Sequence, residues 1–440
     1  MTKNDDGRAA SPWAFVPSMG LLQALTFAYV SILPGVFLKS VGAPNSIVGL
    51  AALFYLPVAL RFLFGAFVDR HGSRRSWSLV CQLGQVAISL TSGVLAWCGT
   101  PVSWVLACFG GAALLGAFLD LSTDGFFLVA MPADREAFFA SLKVQAFRVG
   151  NSIAQGVYVM LAGSLAQHLG GPRRGWGAVF LVHALVLLLL ALWNFLAFPR
   201  PSADQPDRRP VPNALAWYRD VFLGFVRQPG MYWVFVYLAV YRIGESLLAA
   251  MKVPFLLDPP AQGGLGLSLQ QVGFMNGVVA FLVLVIGGLV GGVSVERFGL
   301  ARTLIPGVLI MNLPHLLFVY LAVQPNAWSV SLFGLEIPVV AQSFIALEAL
   351  GYSLGFAPFI YIQILVARGP ARATLFALVG GITNLGWTLP GAASGYLQER
   401  LGYAPYFVAI TLLGLAVLAL IPKIPATTLA ANADQDESPA

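Results

Sequence analysis

Twelve apolar runs, each long enough to cross a bilayer as a helix, follow one another along this chain, separated by short charged or Gly/Pro-rich breaks. They fall at roughly 12–38, 45–67, 76–98, 102–131, 144–166, 177–198, 231–256, 269–293, 303–323, 338–367, 373–396 and 403–422. A backbone in hydrocarbon must satisfy its own hydrogen bonds, so runs of this length predict an all-α membrane protein of twelve transmembrane helices. Only 10% of the residues are charged, where a soluble domain carries about 25%, which excludes that class.

The net charge of +6 would suit nucleic acid if it formed a patch, but its distribution points to topology. With the N-terminus in the cytoplasm, the inside loops carry 17 Lys and Arg and the outside loops 4, the asymmetry expected of a cytoplasmic-membrane protein with both termini inside. The first ten residues are polar and include Asp5 and Asp6, so no removable signal peptide is expected. The longest polar, proline-rich stretch is 199–212. It divides the chain into an expected six-helix bundle over 1–198, a cytoplasmic linker over 199–230, a second six-helix bundle over 231–423 and a disordered cytoplasmic tail over 424–440.

The two halves repeat. Gly65, Asp69, Arg70, Gly72 and Arg74 follow the second run, and Gly292, Glu296, Arg297, Gly299 and Arg302 follow the eighth at an offset of 227, with nearly the same spacing. Glycine lets helix ends approach, and an acid beside arginines can pair across a cytoplasmic seam and hold one conformation shut. The alternative is that the arginines serve only as topology anchors. Asp120 in the fourth run likewise finds Glu348 in the tenth at an offset of 228. Two six-helix repeats about a central path are the architecture of alternating-access transporters, here expected to become two pseudo-symmetric bundles.

An acidic group at the centre of a membrane helix costs about 2.5–3.5 kcal/mol on insertion scales, so charges inside the runs are candidate functional residues. They are Arg61, Asp120, Asp124, Arg148, Arg242, Glu245, Lys252 and Glu348. Asp120 and Asp124 fall one turn apart on one helical face. Asp124 and Arg148 flank the turn near residue 135 at similar distances, which predicts an ion pair that either serves the solute path or only locks two helices. Arg242, Glu245 and Lys252 share a stripe of the seventh helix. Both signs on one stripe suit an anionic solute held by cations beside a carboxylate that can take a proton, or else internal neutralisation of Glu245 by Arg242. His183 and His315 read as packing residues, and buried amides such as Gln82 and Gln85 either line a wet cavity or bridge helices. Cys81, Cys98 and Cys108 have neither metal-ligand spacing nor a disulfide pattern, and no phosphate loop or nucleophile elbow appears. No enzyme, metal or cofactor is expected; the partners are a small-molecule solute, protons and the bilayer.

The doubled loop motif, the twelve runs and the central linker resemble the major facilitator superfamily. Leu60-Arg61-Phe-Leu-Phe64, Asp120-Leu-Ser-Thr-Asp124-Gly125, Phe147-Arg148-Val-Gly150 and Tyr241-Arg242-Ile-Gly244-Glu245 are similar to its peptide and acetyl-coenzyme A transporter branch, which holds AmpG-type muropeptide permeases and siderophore permeases of the rhizobactin and pyochelin type. The resemblance implies proton-coupled import of a bulky polar solute. Phe64-Gly65-Ala66 stands where the branch usually has Trp-Ala-Pro or Trp-Ser-Pro. Phe127 and Val129 replace a Lys and an Asp of the muropeptide type, and the segment from Leu33-Pro34 to Val48-Gly49 is short. The last two departures favour a siderophore over a muropeptide as the expected substrate. A receptor or assembly factor that keeps the bundle without transport is the remaining alternative.

Overall fold

A computed structural model describes residues 11–132, 135–206, 219, 223–224, 226–227, 229–324, 328–366 and 372–425. The expected tail beyond 425, most of the linker and the side chain of Asp69 lie outside the described residues.

Among the described residues, ten helical stretches are long and apolar enough to cross a membrane. The other two expected spans are helical as well. The fifth comprises Glu136–Ile153, a π-helical turn over Ala154–Tyr158 and Val159–His168, and the eleventh is the single helix Arg372–Leu401. Their polar residues, among them Asn151, Ser152, Gln155, Thr383 and Asn384, lower the mean hydropathy of these two. The expected twelve-helix, all-α class therefore agrees with the described residues, with one addition. A short antiparallel hairpin, β1 (Ser329–Leu332) and β2 (Leu335–Pro338), joins the ninth and tenth spans. Phe333 and Gly334 at its tip both have positive φ, the geometry of a tight two-residue hairpin turn.

Several spans are broken, two of them where a proline denies the helix a donor. Pro34 has no N–H to continue the first helix, and the chain turns at Ile32 between Pro12–Ser31 and Leu33–Ser40. The second span, around Pro57, is a run of short helical pieces from Asn45 to Arg70. The seventh breaks at Tyr241 and Arg242, between Met231–Val240 and Ile243–Leu257.

The chain forms two compact units, Met1–Gly42 with Phe54–Val211, and Ala43–Leu53 with Pro212–Ala440. In the first, Phe15, Val16, Met19, Phe126, Phe127, Ala130 and Phe198 form a buried core. In the second, Val234, Tyr237, Tyr241, Leu304, Val308, Met311 and Phe359 do the same. The helix Pro172–Ala197 shows how both sides of a span can be apolar. Phe180, Ala184, Leu187 and Ala191 are buried, while Leu185, Leu189, Leu192 and Leu196 form an exposed stripe at helical spacing. Such a stripe is a liability in water and is satisfied by lipid.

The segment Ala43–Leu53 packs within the second unit. Asn45 Nδ2 donates to Gln398 Oε1 at 2.7 Å, to Tyr403 Oη at 3.0 Å and to Asp258 Oδ2 at 3.3 Å, and Tyr403 Oη donates to the same Asp258 oxygen at 2.5 Å. All four side chains are buried, so the network is satisfied internally.

Candidate functional site

The helix Val102–Ala130 carries Asp120 and Asp124 one turn apart, and three other spans bring partners to them. Arg61 Nη1 donates to Asp120 Oδ2 at 3.1 Å and lies 3.6 Å from Asp124 Oδ2. Lys143 Nζ donates to Asp124 Oδ1 at 2.5 Å. Gln23 Nε2 donates to Asp124 Oδ1 at 3.1 Å and reaches Asp120 Oδ1 at 3.4 Å. Two carboxylates thus face two cations, a neutral set that limits the cost of holding them away from water. The Asp120 side chain is 18% exposed and that of Asp124 44%, so Asp124 is the more accessible of the two.

The expected Asp124–Arg148 pair is not formed; Lys143 takes its place. The fourth helix ends at Ala130 and the fifth begins at Glu136, so Lys143 stands at nearly the depth of Asp124. Arg148, five residues further on, is rotated by roughly 140° around the fifth helix and faces elsewhere. Close packing fixes Lys143: a side chain at Gly20 would fall on its carbonyl oxygen, so glycine is what admits the first span there. Gly125 of the Asp-x-x-x-Asp-Gly segment has a similar purpose. A Cβ there would lie 2.6 Å from Arg74 Cδ, so this glycine seats the stem of a gate-motif arginine against the helix that carries the acidic pair.

The gate motifs are structured at their ends. Asp204 caps the third span, accepting from Arg74 N and Arg75 N at 2.9 Å each, while the Arg75 guanidinium donates to the carbonyls of Phe195 and Phe198. In the second motif Gly299, with φ +78, lets the chain turn between two helices. Glu296, Arg297 and Arg302 are exposed and form no ion pair among the described residues.

The second unit holds another polar group. Lys252 Nζ donates to Glu348 Oε2 at 2.8 Å. Glu245 faces His315 rather than Arg242, with Glu245 Oε2 at 3.3 Å from His315 Nε2 and both residues buried. Arg242 is set among aromatic rings, its guanidinium carbon 4.1 Å from the centre of Trp387, 5.1 Å from Phe356 and 5.9 Å from Tyr352, and it donates to Tyr352 Oη at 3.0 Å. Gln23, Lys143, His315, Tyr352 and Trp387 are members of these groups that the sequence alone does not select. His183, expected as a hydrogen-bonded packing residue, does pack, stacking on Tyr29 at 4.9 Å, but neither ring nitrogen has a hydrogen-bond partner among the described residues. Gln82 and Gln85 act as interhelical bridges, to Asn194 and to the Ala112 carbonyl.

A helical bundle of membrane-spanning length with charged groups inside its spans fits a secondary transporter, a non-enzymatic carrier of small-molecule solutes, and the family match assigns that class. The chain belongs to the Major Facilitator Superfamily, whose family model matches residues 16–345. It is 25% identical over 396 residues to the anhydromuropeptide permease of Escherichia coli, covering 87% of this chain and 72% of that one. It is 19% identical over 417 residues to the AmpG 4 protein of Rickettsia conorii, with 92% and 94% covered. The fold is shared with a nucleoside transporter at a TM-score of 0.68 and 14% identity, covering 93% of this chain and 99% of that one. A D-xylose–proton symporter gives the same score and identity, with 94% and 98% covered.

Proposed function

We propose that this protein imports a muropeptide across the bacterial cytoplasmic membrane, driven by protons, with both termini in the cytoplasm. The observation that carries the proposal is the neutral set of Asp120, Asp124, Arg61, Lys143 and Gln23, in a chain similar to an anhydromuropeptide permease. A proton arriving on Asp120 cancels the charge that holds Arg61, which then swings fully to Asp124; loss of the proton restores the first arrangement. Such an exchange of ion-pair partners is a two-state element that both proton and solute can bias. In this scheme the two six-helix halves alternate in access, and the gate motifs, Asp69 and Glu296 among them, hold the outward-facing state.

The substrate class departs from the siderophore favoured on sequence. The named relatives support a muropeptide instead, and the site removes one objection to it. The cation absent from the end of the fourth span, where Phe127 stands, is supplied by Lys143 of the fifth, whose Nζ lies 5.4 Å from the Phe127 ring centre and bonds Asp124. A deletion strain separates the two classes. Loss of β-lactam-induced cell-wall signalling, restored by the wild-type gene but not by Asp124→Asn, supports muropeptide import. Normal signalling with failure to grow on a supplied ferric siderophore reverses the choice.

A further inference from the structure

Three of the cations inside the spans, Arg61, Lys143 and Lys252, already contact a carboxylate. Arg242 contacts none among the described residues. Its guanidinium lies against the rings of Trp387, Phe356 and Tyr352, it gives one hydrogen bond to Tyr352 Oη, and its buried Nε has no partner among the described residues. An arginine set among rings with one N–H donated to a hydroxyl and its Nε–H unspent keeps donors for a planar anion. Its position adds to this: Arg242 directly precedes the first turn of Ile243–Leu257, where unpaired backbone N–H groups favour negative charge.

The neighbouring charges limit what else must happen. Arg242 and Lys252 balance Glu245 and Glu348 when His315 is neutral, and these are the groups that act on one another electrostatically here, with Tyr352 beside them. His315 Nδ1 is buried without a partner, so a second N–H on the ring would be left unsatisfied. A carboxylate arriving at Arg242 adds one negative charge, and Glu245, bonded to neutral His315 rather than to a cation, is the group able to cancel it.

We propose that Arg242 seats a carboxylate of the transported solute and that the Glu245–His315 pair takes up one proton as that carboxylate binds. This rests on the proposed import of an anionic muropeptide, and it adds a second, substrate-linked proton step in the second unit to the one at Asp120.

The test is calorimetric titration of the purified full-length protein, in two buffers of different ionisation enthalpy, with an anhydromuropeptide bearing a free peptide carboxylate and with its amide. The wild type is expected to bind the acid at least about tenfold more tightly than the amide, with a proton taken up only by the acid. Arg242→Gln should equalise the two compounds, Arg242→Lys should keep part of the preference, and Glu245→Gln should keep the preference without proton uptake. An intact preference in Arg242→Gln, or intact proton uptake in Glu245→Gln, overturns the proposal. A second measurement does not depend on the natural substrate: phenylglyoxal labelling of Arg242, read by mass spectrometry, should be slowed by N-acetylalanine and not by N-acetylalaninamide. If neither muropeptide binds the wild type, the muropeptide reading fails while the labelling still decides the site, and absence of protection overturns it.

Discussion

Replacing Lys252 by Met should cost more stability than replacing it together with its partner. Glu348 is 2% exposed at its side chain and Lys252 17%, and they meet at 2.8 Å. Removing one member of a buried pair typically costs about 3–5 kcal/mol, because the other charge is left without compensation in low dielectric. Lys252→Met leaves the Glu348 carboxylate without a cation in contact, and because a stranded carboxyl can take a proton instead, a loss near the lower end, about 3 kcal/mol, is expected. In Lys252→Met with Glu348→Gln no charge is stranded, and about half of that loss or more should return. The assay is the unfolding midpoint of the purified protein in detergent, followed by tryptophan fluorescence, for wild type, both single variants and the double. A double variant whose loss equals the sum of the single losses would refute the argument that the pair acts as a unit.

Further expectations follow from other parts of the chain. Asp120→Asn and Asp124→Asn should each abolish uphill uptake while the protein still reaches the membrane at wild-type levels; normal accumulation in both would make the acidic pair structural. Gly395→Leu should destabilise by roughly 1–3 kcal/mol or more, since its side chain would fall on the Asn45 carbonyl, whereas Gly380→Ala, which meets open space, should be neutral or stabilising in the same unfolding assay. A reporter fused after Pro206 should be cytoplasmic and one placed near Gly171 or Gly263 external; a periplasmic signal from the Pro206 fusion would overturn the topology.

Much of the helical architecture is legible in the sequence because the bilayer imposes it: a span must be long, apolar and self-bonded, so helix positions follow from hydropathy alone. The turn between the fourth and fifth spans shows the limit. Centring it near residue 135 is nearly right, yet treating Lys143 as a loop cation rather than a residue of the fifth helix assigns the partner of Asp124 to Arg148. With the helix ends at Ala130 and Glu136, the same depth count selects Lys143. His315 carries no comparable signal. It lies 70 residues from Glu245, and only packing of the ninth span against the seventh makes it a partner rather than a filler. Gln23 is equally silent, one amide in an apolar helix, until the first span is placed against the fourth. The β1–β2 hairpin is hidden for a different reason, since the fifteen residues between Val323 and Val339 look like any loop unless the Phe333-Gly334 turn is recognised.

The most direct test of the central claim is accumulation of labelled anhydromuropeptide in proteoliposomes of the purified protein under an imposed inward proton gradient. The account predicts accumulation above the external concentration, its collapse on adding a protonophore, and its absence with Asp124→Asn. Uptake that ignores the protonophore would contradict proton coupling, and no uptake of the muropeptide by wild-type vesicles would contradict the substrate assignment.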